Sequence, residues 1–103
     1  MSEDWPPTVR DPDGRTVVFD AGSHLHLVRR LRGALLDHVD DILGTVRSPD
    51  FRENDPVVGR ERFYRMDFMT TGRWLRVVVD FNEDPGWVVT AFVEDRDPRV
   101  RRQ

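Results

Sequence analysis

One stretch of the chain, residues 59–93, restricts the possible fold more than any other part of the sequence. It contains three runs rich in β-branched and aromatic residues, at positions 60–68, 74–81 and 87–93, and this composition favours β-strands. Glycine-containing turns separate the runs. Since short turns join antiparallel neighbours, the stretch predicts a three-stranded antiparallel meander.

Side-chain alternation along these runs assigns residues to two faces of the predicted sheet. In the second run, Leu75, Val77 and Val79 form an apolar face, which we expect the helices to cover. In the third run, strict alternation places Val89 on the same side as Ala91. The opposite face of the meander is mixed in polarity and is expected to be the open one.

A helical pattern precedes the meander, with apolar residues recurring every three or four positions from 25 to 46. Ser23 is the predicted N-cap, and Ser48-Pro49-Asp50 is expected to end the helix. Gly33 predicts a kink or a break into two helices, because glycine weakens a helix interior. Residues 15–19 predict a short strand before the helix, and residues 51–59 a loop with a candidate short strand at 57–58.

The predicted fold class is therefore α+β. A short N-terminal strand, one kinked or two consecutive helices, and a three-stranded antiparallel meander follow one another, with the helices packed on one face. A length of 103 residues favours one domain. Residues 1–14 predict an irregular N-terminal segment, residues 15–95 the single α+β domain, and residues 96–103 a basic C-terminal tail.

Composition excludes several kinds of chemistry. The chain has no cysteine, which excludes disulfides, thiolate metal sites and a cysteine nucleophile and fits a reducing cytoplasm. All sixteen basic residues are arginine, so no mechanism can use a lysine. No apolar run approaches the roughly 20 residues of a membrane helix, and the first residues lack the apolar region of a signal peptide. We therefore expect a cytoplasmic protein without a membrane partner.

Charge is distributed unevenly over a weakly acidic chain of formal net charge −3. Residues 52–76 carry six arginines against four acids, while the segments before and after are neutral or acidic. This pattern predicts that the sheet can hold one substrate phosphate, but it does not support a long nucleic-acid footprint.

The histidines do not form a metal motif, and the sequence has no phosphate-binding glycine loop, so we expect neither a metal nor a cofactor. Metal-independent RNA cleavage remains open, because it needs only a proton-transfer group and cations that stabilise the phosphate. His26 suits proton transfer near neutral pH, and arginines suit the phosphate. Tyr64 and Thr90 could support such a site. The residue types permit this scheme without singling it out.

The order of the segments resembles a family of phage-associated and bacterial proteins in the barnase, EndoU, colicin and RelE-like ribonuclease superfamily. The resemblance spans about residues 13–94. It is carried by Asp13-Gly14-Arg15, His26-Leu27, Pro49-Asp50, Arg62-Phe63-Tyr64-Arg65, the run from Trp74 to Val79, and the run from Val88 to Phe92.

This resemblance implies a small endoribonuclease that cleaves RNA by attack of the 2′-hydroxyl. Several groups of the family are presumed toxins, so it also implies a toxin–antitoxin setting with a cognate antitoxin or immunity protein as partner. The implied catalytic residues are His26, Arg62, Tyr64 and Thr90. A neighbouring arginine, Arg65 or Arg76, is expected to join Arg62 on the phosphate, and Arg30 is a further candidate for phosphate binding.

One departure from the family pattern keeps an alternative open. Related proteins often carry a second histidine in a stretch like Arg-His-Pro-Glu, where this chain reads Arg30-Leu31-Arg32-Gly33. Arginine can replace the charge of that imidazole but not its proton transfer. The alternative is a non-catalytic protein- or RNA-binding module on the same scaffold. If the enzyme hypothesis holds, the four catalytic candidates should meet in one cleft on the open face of the sheet.

Overall fold

Two helices and a six-stranded sheet form the architecture, seen in a computed structural model that describes residues 5–30 and 32–100. The described elements, in chain order, are β1 (Thr8–Arg10), β2 (Thr16–Val18), α1 (Ala21–Arg29), a 3₁₀ helix (Gly33–His38), α2 (Val39–Arg47), β3 (Phe51–Asn54), β4 (Arg60–Arg65), β5 (Trp74–Asp80) and β6 (Gly86–Glu94). None of the helices in the described ranges has the length and apolar character needed to cross a membrane.

The sheet is mixed, with strand order β1-β2-β6-β5-β4-β3. Strands β2 and β6 are parallel, and the other neighbours are antiparallel. The α+β class is confirmed, and the three predicted strands are the neighbours β4, β5 and β6. The predicted meander is incomplete as a description of the sheet, however, because its two outer strands pair with β2 and β3 and the sheet has six strands in all. This pairing provides backbone partners along the outer edge of β4 and for the start of β6, at Gly86 and Trp87.

The strands that sequence patterns missed lie at the two outer edges of the sheet. β1 comes from the segment predicted to be irregular, and β3 from the predicted loop. Both are short and largely polar, so their order depends on pairing with β2 and β4 rather than on local composition. The candidate strand at 57–58 is instead a turn, in which the side chain of Val58 is 87% exposed.

The helical region breaks where Gly33 predicted it would. α1 ends at Arg29, Gly33 opens the 3₁₀ helix, and α2 ends at Arg47, just before Ser48. The predicted N-cap was wrong by three residues. Asp20 caps α1 by accepting from the Ser23 backbone N–H at 3.0 Å, and the Ser23 hydroxyl accepts from the Asp20 N–H at 3.1 Å.

A single apolar cluster joins the helices to one face of the sheet. It contains Val17, Leu27, Leu35, Ile42, Leu43, Val46, Phe63, Leu75, Val77, Val79, Val88 and Ala91, together with Phe19 and Phe68. The apolar face predicted from Leu75, Val77 and Val79 is therefore confirmed as the core side. Burying these side chains supplies the main driving force for folding.

A bulge in β6 changes which side chains point to the core. Val78 pairs with Thr90 and Val79 with Val88, so Val89 has no partner on β5. Strict alternation had placed Val89 with Ala91, but Val88 takes that position in the core instead. The extra residue shifts the alternation by one position, which is the usual effect of a β-bulge.

α1 reaches both faces of the sheet, because β2 leaves most of β6 uncovered along that edge. β2 pairs with β6 only at Gly86 and Trp87, and α1, which follows β2, contacts β6. Leu27 of α1 joins the core cluster, whereas its neighbour His26 lines a cleft on the other face. α1 therefore packs on the core side through Leu27, while His26 extends from the same helix to the edge of the open face.

Candidate functional site

A shallow cleft lies on the sheet face opposite the core. Its volume is about 280 Å³. Strands β4, β5 and β6 form its floor, while the end of α1, the segment that follows α1, and the β3–β4 loop form its rim. The lining residues are His26, Arg30, Arg32, Asp55, Arg60, Arg76, Val78, Val89, Thr90 and Phe92.

The register of the sheet brings the floor residues together. Arg76 pairs with Phe92, and Val78 pairs with Thr90, so these four side chains share one face of β5 and β6. They alternate with Val77 and the other core residues of the same strands. The cleft is therefore a consequence of strand register and could not be placed without it.

His26 is half-buried at the rim, and its imidazole has no hydrogen-bond partner within residues 5–30 and 32–100. Burial, together with the positive charges of Arg30, Arg32 and Arg60, lowers the pKa of His26 below its ordinary value near 6.5. The imidazole is therefore predominantly neutral at pH 7. A neutral, unpartnered imidazole can accept a proton from a ligand hydroxyl.

The cleft has an excess of positive charge. Arg60 donates to Asp80 at 3.2 Å, and Arg76 contacts the Glu94 carboxylate. Arg30 and Arg32 have no carboxylate partner in the part of the chain that the structure describes. Two uncompensated guanidinium groups beside an imidazole favour a bound oxyanion.

Arg62, one of the predicted catalytic residues, lies outside the lining of this cleft. Its Nε donates to Asp55 at 2.8 Å, and its Nη1 lies 3.5 Å from the Glu53 carboxylate. Burial alone would lower the pKa of Arg62, but the contacts with Asp55 and Tyr64 raise it overall. Asp55 does line the cleft, so Arg62 contacts the site through that carboxylate and not directly.

Tyr64 is fully buried, and its hydroxyl donates to Glu53 at 2.6 Å. Burial and the Glu53 carboxylate raise the pKa of Tyr64 well above its ordinary value. The hydroxyl therefore stays protonated and cannot contact a ligand in the cleft. This arrangement revises the role implied for Tyr64 from a site residue to a structural one.

Arg65 lies on the helix side of the sheet. Arg65 lies two residues after Phe63 on β4, so it shares the face of this core residue. Its Nη1 donates to Asp41 of α2 at 3.0 Å. The Arg65 side chain therefore cannot reach a phosphate that is held in the cleft. Of the seven predicted site residues, the structure brings together His26, Arg30, Arg76 and Thr90.

Six lining residues were absent from the predicted site: Arg32, Asp55, Arg60, Val78, Val89 and Phe92. Arg60 could have been found, because two-residue alternation places it on the same face as Arg62. Arg32 and Asp55 lie between regular elements, where no periodic pattern predicts the face toward which a side chain points. Phe92 could also have been found, because it lies two residues after Thr90 in regular register and so shares its face.

A scan against protein-family models, a search of curated proteins and a search of solved structures each found no match to this chain. The class of this protein is therefore described from its own fold and cleft. It is a small α+β protein with a six-stranded mixed sheet, whose open face carries an arginine-rich cleft beside one half-buried imidazole.

Proposed function

We propose that this protein is a small metal-independent endoribonuclease that cleaves RNA by 2′-hydroxyl attack in the cleft. The observation that supports this most is the position of His26 beside Arg30 and Arg32. Among the described residues this imidazole, held neutral by its surroundings, has no hydrogen-bond partner, and neither arginine has a carboxylate partner. Such a pair of features provides proton transfer and phosphate binding at one place. The family resemblance of the sequence points to the same reaction.

The proposed reaction uses His26 as a proton shuttle. His26 takes the proton of the 2′-hydroxyl while the 2′-oxygen forms a bond to phosphorus. The bond from phosphorus to the 5′-oxygen breaks, and the protonated imidazole returns its proton to that oxygen. Arginine guanidinium groups stabilise the charge that develops on the non-bridging oxygens. The products are a 2′,3′-cyclic phosphate and a 5′-hydroxyl end.

The first prediction is that His26→Gln abolishes cleavage while the folded protein persists. Loss of a proton-transfer group typically lowers a rate by about 10² to 10⁴-fold. A labelled RNA oligonucleotide, incubated with purified protein in the presence of EDTA, should yield cyclic-phosphate ends. The matched control is His24→Gln, because His24 is exposed on the same helix and does not line the cleft.

Two further arms of this experiment separate the mechanism from contamination and from toxicity. An oligonucleotide with 2′-deoxyribose at every position should remain intact, because it lacks the attacking hydroxyl. Expression in a bacterial host should arrest growth with wild type and not with His26→Gln if the enzyme is a toxin. Cleavage that survives His26→Gln would refute the proposed role of this residue.

One observation favours a second candidate, a non-catalytic RNA- or protein-binding module. Among the described lining residues, His26 is the single imidazole, and Asp55 is held by Arg62 with its pKa lowered. Burial would raise the pKa of Asp55, but the Val57 backbone N–H and Arg62 outweigh it. Wild-type protein that binds RNA in the cleft and leaves it intact would establish this second function.

A further inference from the structure

Arg32 differs from the other cleft arginines in how its backbone is held. It lies between α1 and the 3₁₀ helix, where its N–H donates to the Leu27 carbonyl at 2.9 Å. Its own carbonyl accepts from the Leu35 N–H at 3.0 Å. Leu27 and Leu35 are both in the core cluster, so the start of the Arg32 side chain is tied to the buried part of the molecule.

The guanidinium group of Arg32 is also placed by neighbours, and both of them are uncharged residues of β6. Its Nη1 donates to Thr90 Oγ1 at 2.8 Å, and its Cζ lies 4.6 Å from the centroid of the Phe92 ring. A hydroxyl acceptor and an aromatic face orient an arginine without neutralising it. Arg60 and Arg76, by contrast, face the carboxylates of Asp80 and Glu94.

The remaining donors of Arg32 are free to bind a ligand. A guanidinium carries five N–H groups in a planar fork, and Thr90 accepts from one nitrogen. Neither Nε nor Nη2 of Arg32 has a hydrogen-bond partner within residues 5–30 and 32–100. Burial and the charge of Arg30 lower the pKa of Arg32, and no carboxylate in the described part of the chain pairs with it. Such a fork matches two oxygens of one phosphate group.

We propose that Arg32 is the principal phosphate-binding residue of the cleft and that Thr90 and Phe92 are positioning residues that hold its guanidinium there. The identity of the phosphate as part of RNA rests on the proposed function; the anion site itself rests on the contacts of Arg32. Arg30, which is exposed and has neither of these two partners, contributes charge rather than geometry.

Binding can be measured separately from cleavage. The probes are a 2′-deoxy oligonucleotide, which cannot be cleaved by 2′-hydroxyl attack, and inorganic phosphate. Arg32→Gln should weaken oligonucleotide binding by roughly tenfold and make the salt dependence shallower by about 0.7 in logarithmic slope, one phosphate contact on a single strand. Arg32→Lys should bind the oligonucleotide with an affinity between those of wild type and Arg32→Gln, since lysine keeps the charge but lacks the planar fork of donors. Arg47→Gln, an exposed position on α2 outside the cleft, is the control and should bind like wild type.

The role of Thr90 is tested by whether it acts through Arg32. Thr90→Val removes the hydroxyl acceptor at nearly the same size and should weaken binding several-fold, whereas Thr90→Ser keeps the acceptor and should preserve binding. In an Arg32→Gln background, Thr90→Val should have no further effect. Equal losses in both backgrounds would mean that Thr90 contacts the ligand directly, and the positioning role would be rejected.

Each outcome bears on the two proposals differently. If Arg32→Gln binds both probes like wild type, the Arg32 site is refuted, and cleavage that depends on His26 would still stand. If Arg32→Gln binds weakly while wild type never cleaves RNA, the Arg32 site stands and the nuclease proposal falls. Binding of inorganic phosphate through Arg32 without oligonucleotide binding keeps the anion site and removes RNA as its ligand. A wild-type protein that binds neither probe refutes the site outright.

Discussion

At the scale of single residues, the environment of a side chain decides its chemistry more than its type does. His26 and Tyr64 were both implied as catalytic groups, yet they lie in opposite surroundings. His26 is half-buried among arginines and is kept neutral, with its nitrogens available to a ligand. Tyr64 is fully buried and tied to Glu53. Proton transfer to a substrate is therefore open to the first and closed to the second.

The lowered pKa of His26 predicts a pH dependence of folding stability. Because the folded chain binds the proton less readily than the unfolded chain, stability is greatest above about 6.5 and falls as the pH drops below that value. His26→Gln should lose less stability than wild type between about pH 7.5 and pH 5.5. Urea unfolding at both pH values measures this difference. An equal loss in the two proteins would show that His26 is not held neutral by its surroundings.

Tyr64→Phe separates a structural role from a catalytic one. The substitution removes the hydroxyl donor to the Glu53 carboxylate and should lower the free energy of unfolding by about 1–3 kcal/mol. Cleavage per folded molecule should be unchanged, because Tyr64 is fully buried and does not line the cleft. Chemical unfolding and the oligonucleotide assay provide the two measurements. If the variant folds but no longer cleaves RNA, Tyr64 has a catalytic role and the structural interpretation is refuted.

At the scale of elements, α1 is the piece that connects the core to the cleft. Its capping box fixes where the helix begins, and the break before Gly33 fixes where it ends. These two ends fix the position of His26 relative to β6, and His26 directly precedes the buried Leu27. Changing the start of this helix affects both the stability of the fold and the placement of the imidazole.

Asp20→Ala should destabilise the protein through this helix. The side chain accepts from the Ser23 N–H, and losing an N-cap of this kind costs about 1 kcal/mol. Asp20→Asn is the matched control, since asparagine caps helices about as well as aspartate. Thermal unfolding of the three proteins tests the ranking. If Asp20→Asn is as unstable as Asp20→Ala, the contribution of Asp20 comes from its charge and not from the cap.

At the scale of the whole molecule, the cleft is a local concentration of arginines on a weakly acidic chain. The chain carries a formal net charge of −3, and many of its arginines are engaged with carboxylates. Arg15 shows this well: it binds Asp11 and Glu61 and stacks on Phe81, which ties the β1–β2 turn to β4. Arginines paired in this way hold segments of the fold together, and their charge is largely compensated by the neighbouring carboxylates.

The small size of the cleft predicts a shallow salt dependence for RNA binding there. About two phosphate contacts on a single strand should give a logarithmic slope near −1.4, because each contact contributes roughly −0.7. Titrating a labelled oligonucleotide at several salt concentrations measures the slope. A slope of about −4 or steeper would indicate a much wider footprint than the cleft provides, and would locate the binding surface elsewhere.

Local sequence patterns were sufficient for much of this architecture. Turn residues and β-branched runs located β4, β5 and β6, and the apolar spacing with Gly33 located two helices and the break between them. Edge strands β1 and β3 were beyond such reasoning, because short polar segments become strands only when a neighbour offers backbone partners. The bulge at Val89 was also hidden, since it is a property of pairing between two strands.

The site was decided almost wholly by tertiary structure. Composition indicated histidine and arginine chemistry, and the family resemblance named candidate residues, but neither could say which of these side chains meet. Whether a side chain meets the cleft depends on register, on the edge of β6 that β2 leaves open, and on which arginines find a carboxylate first. These are contacts between residues far apart along the chain, such as Arg32 with Thr90, and no local pattern carries that information.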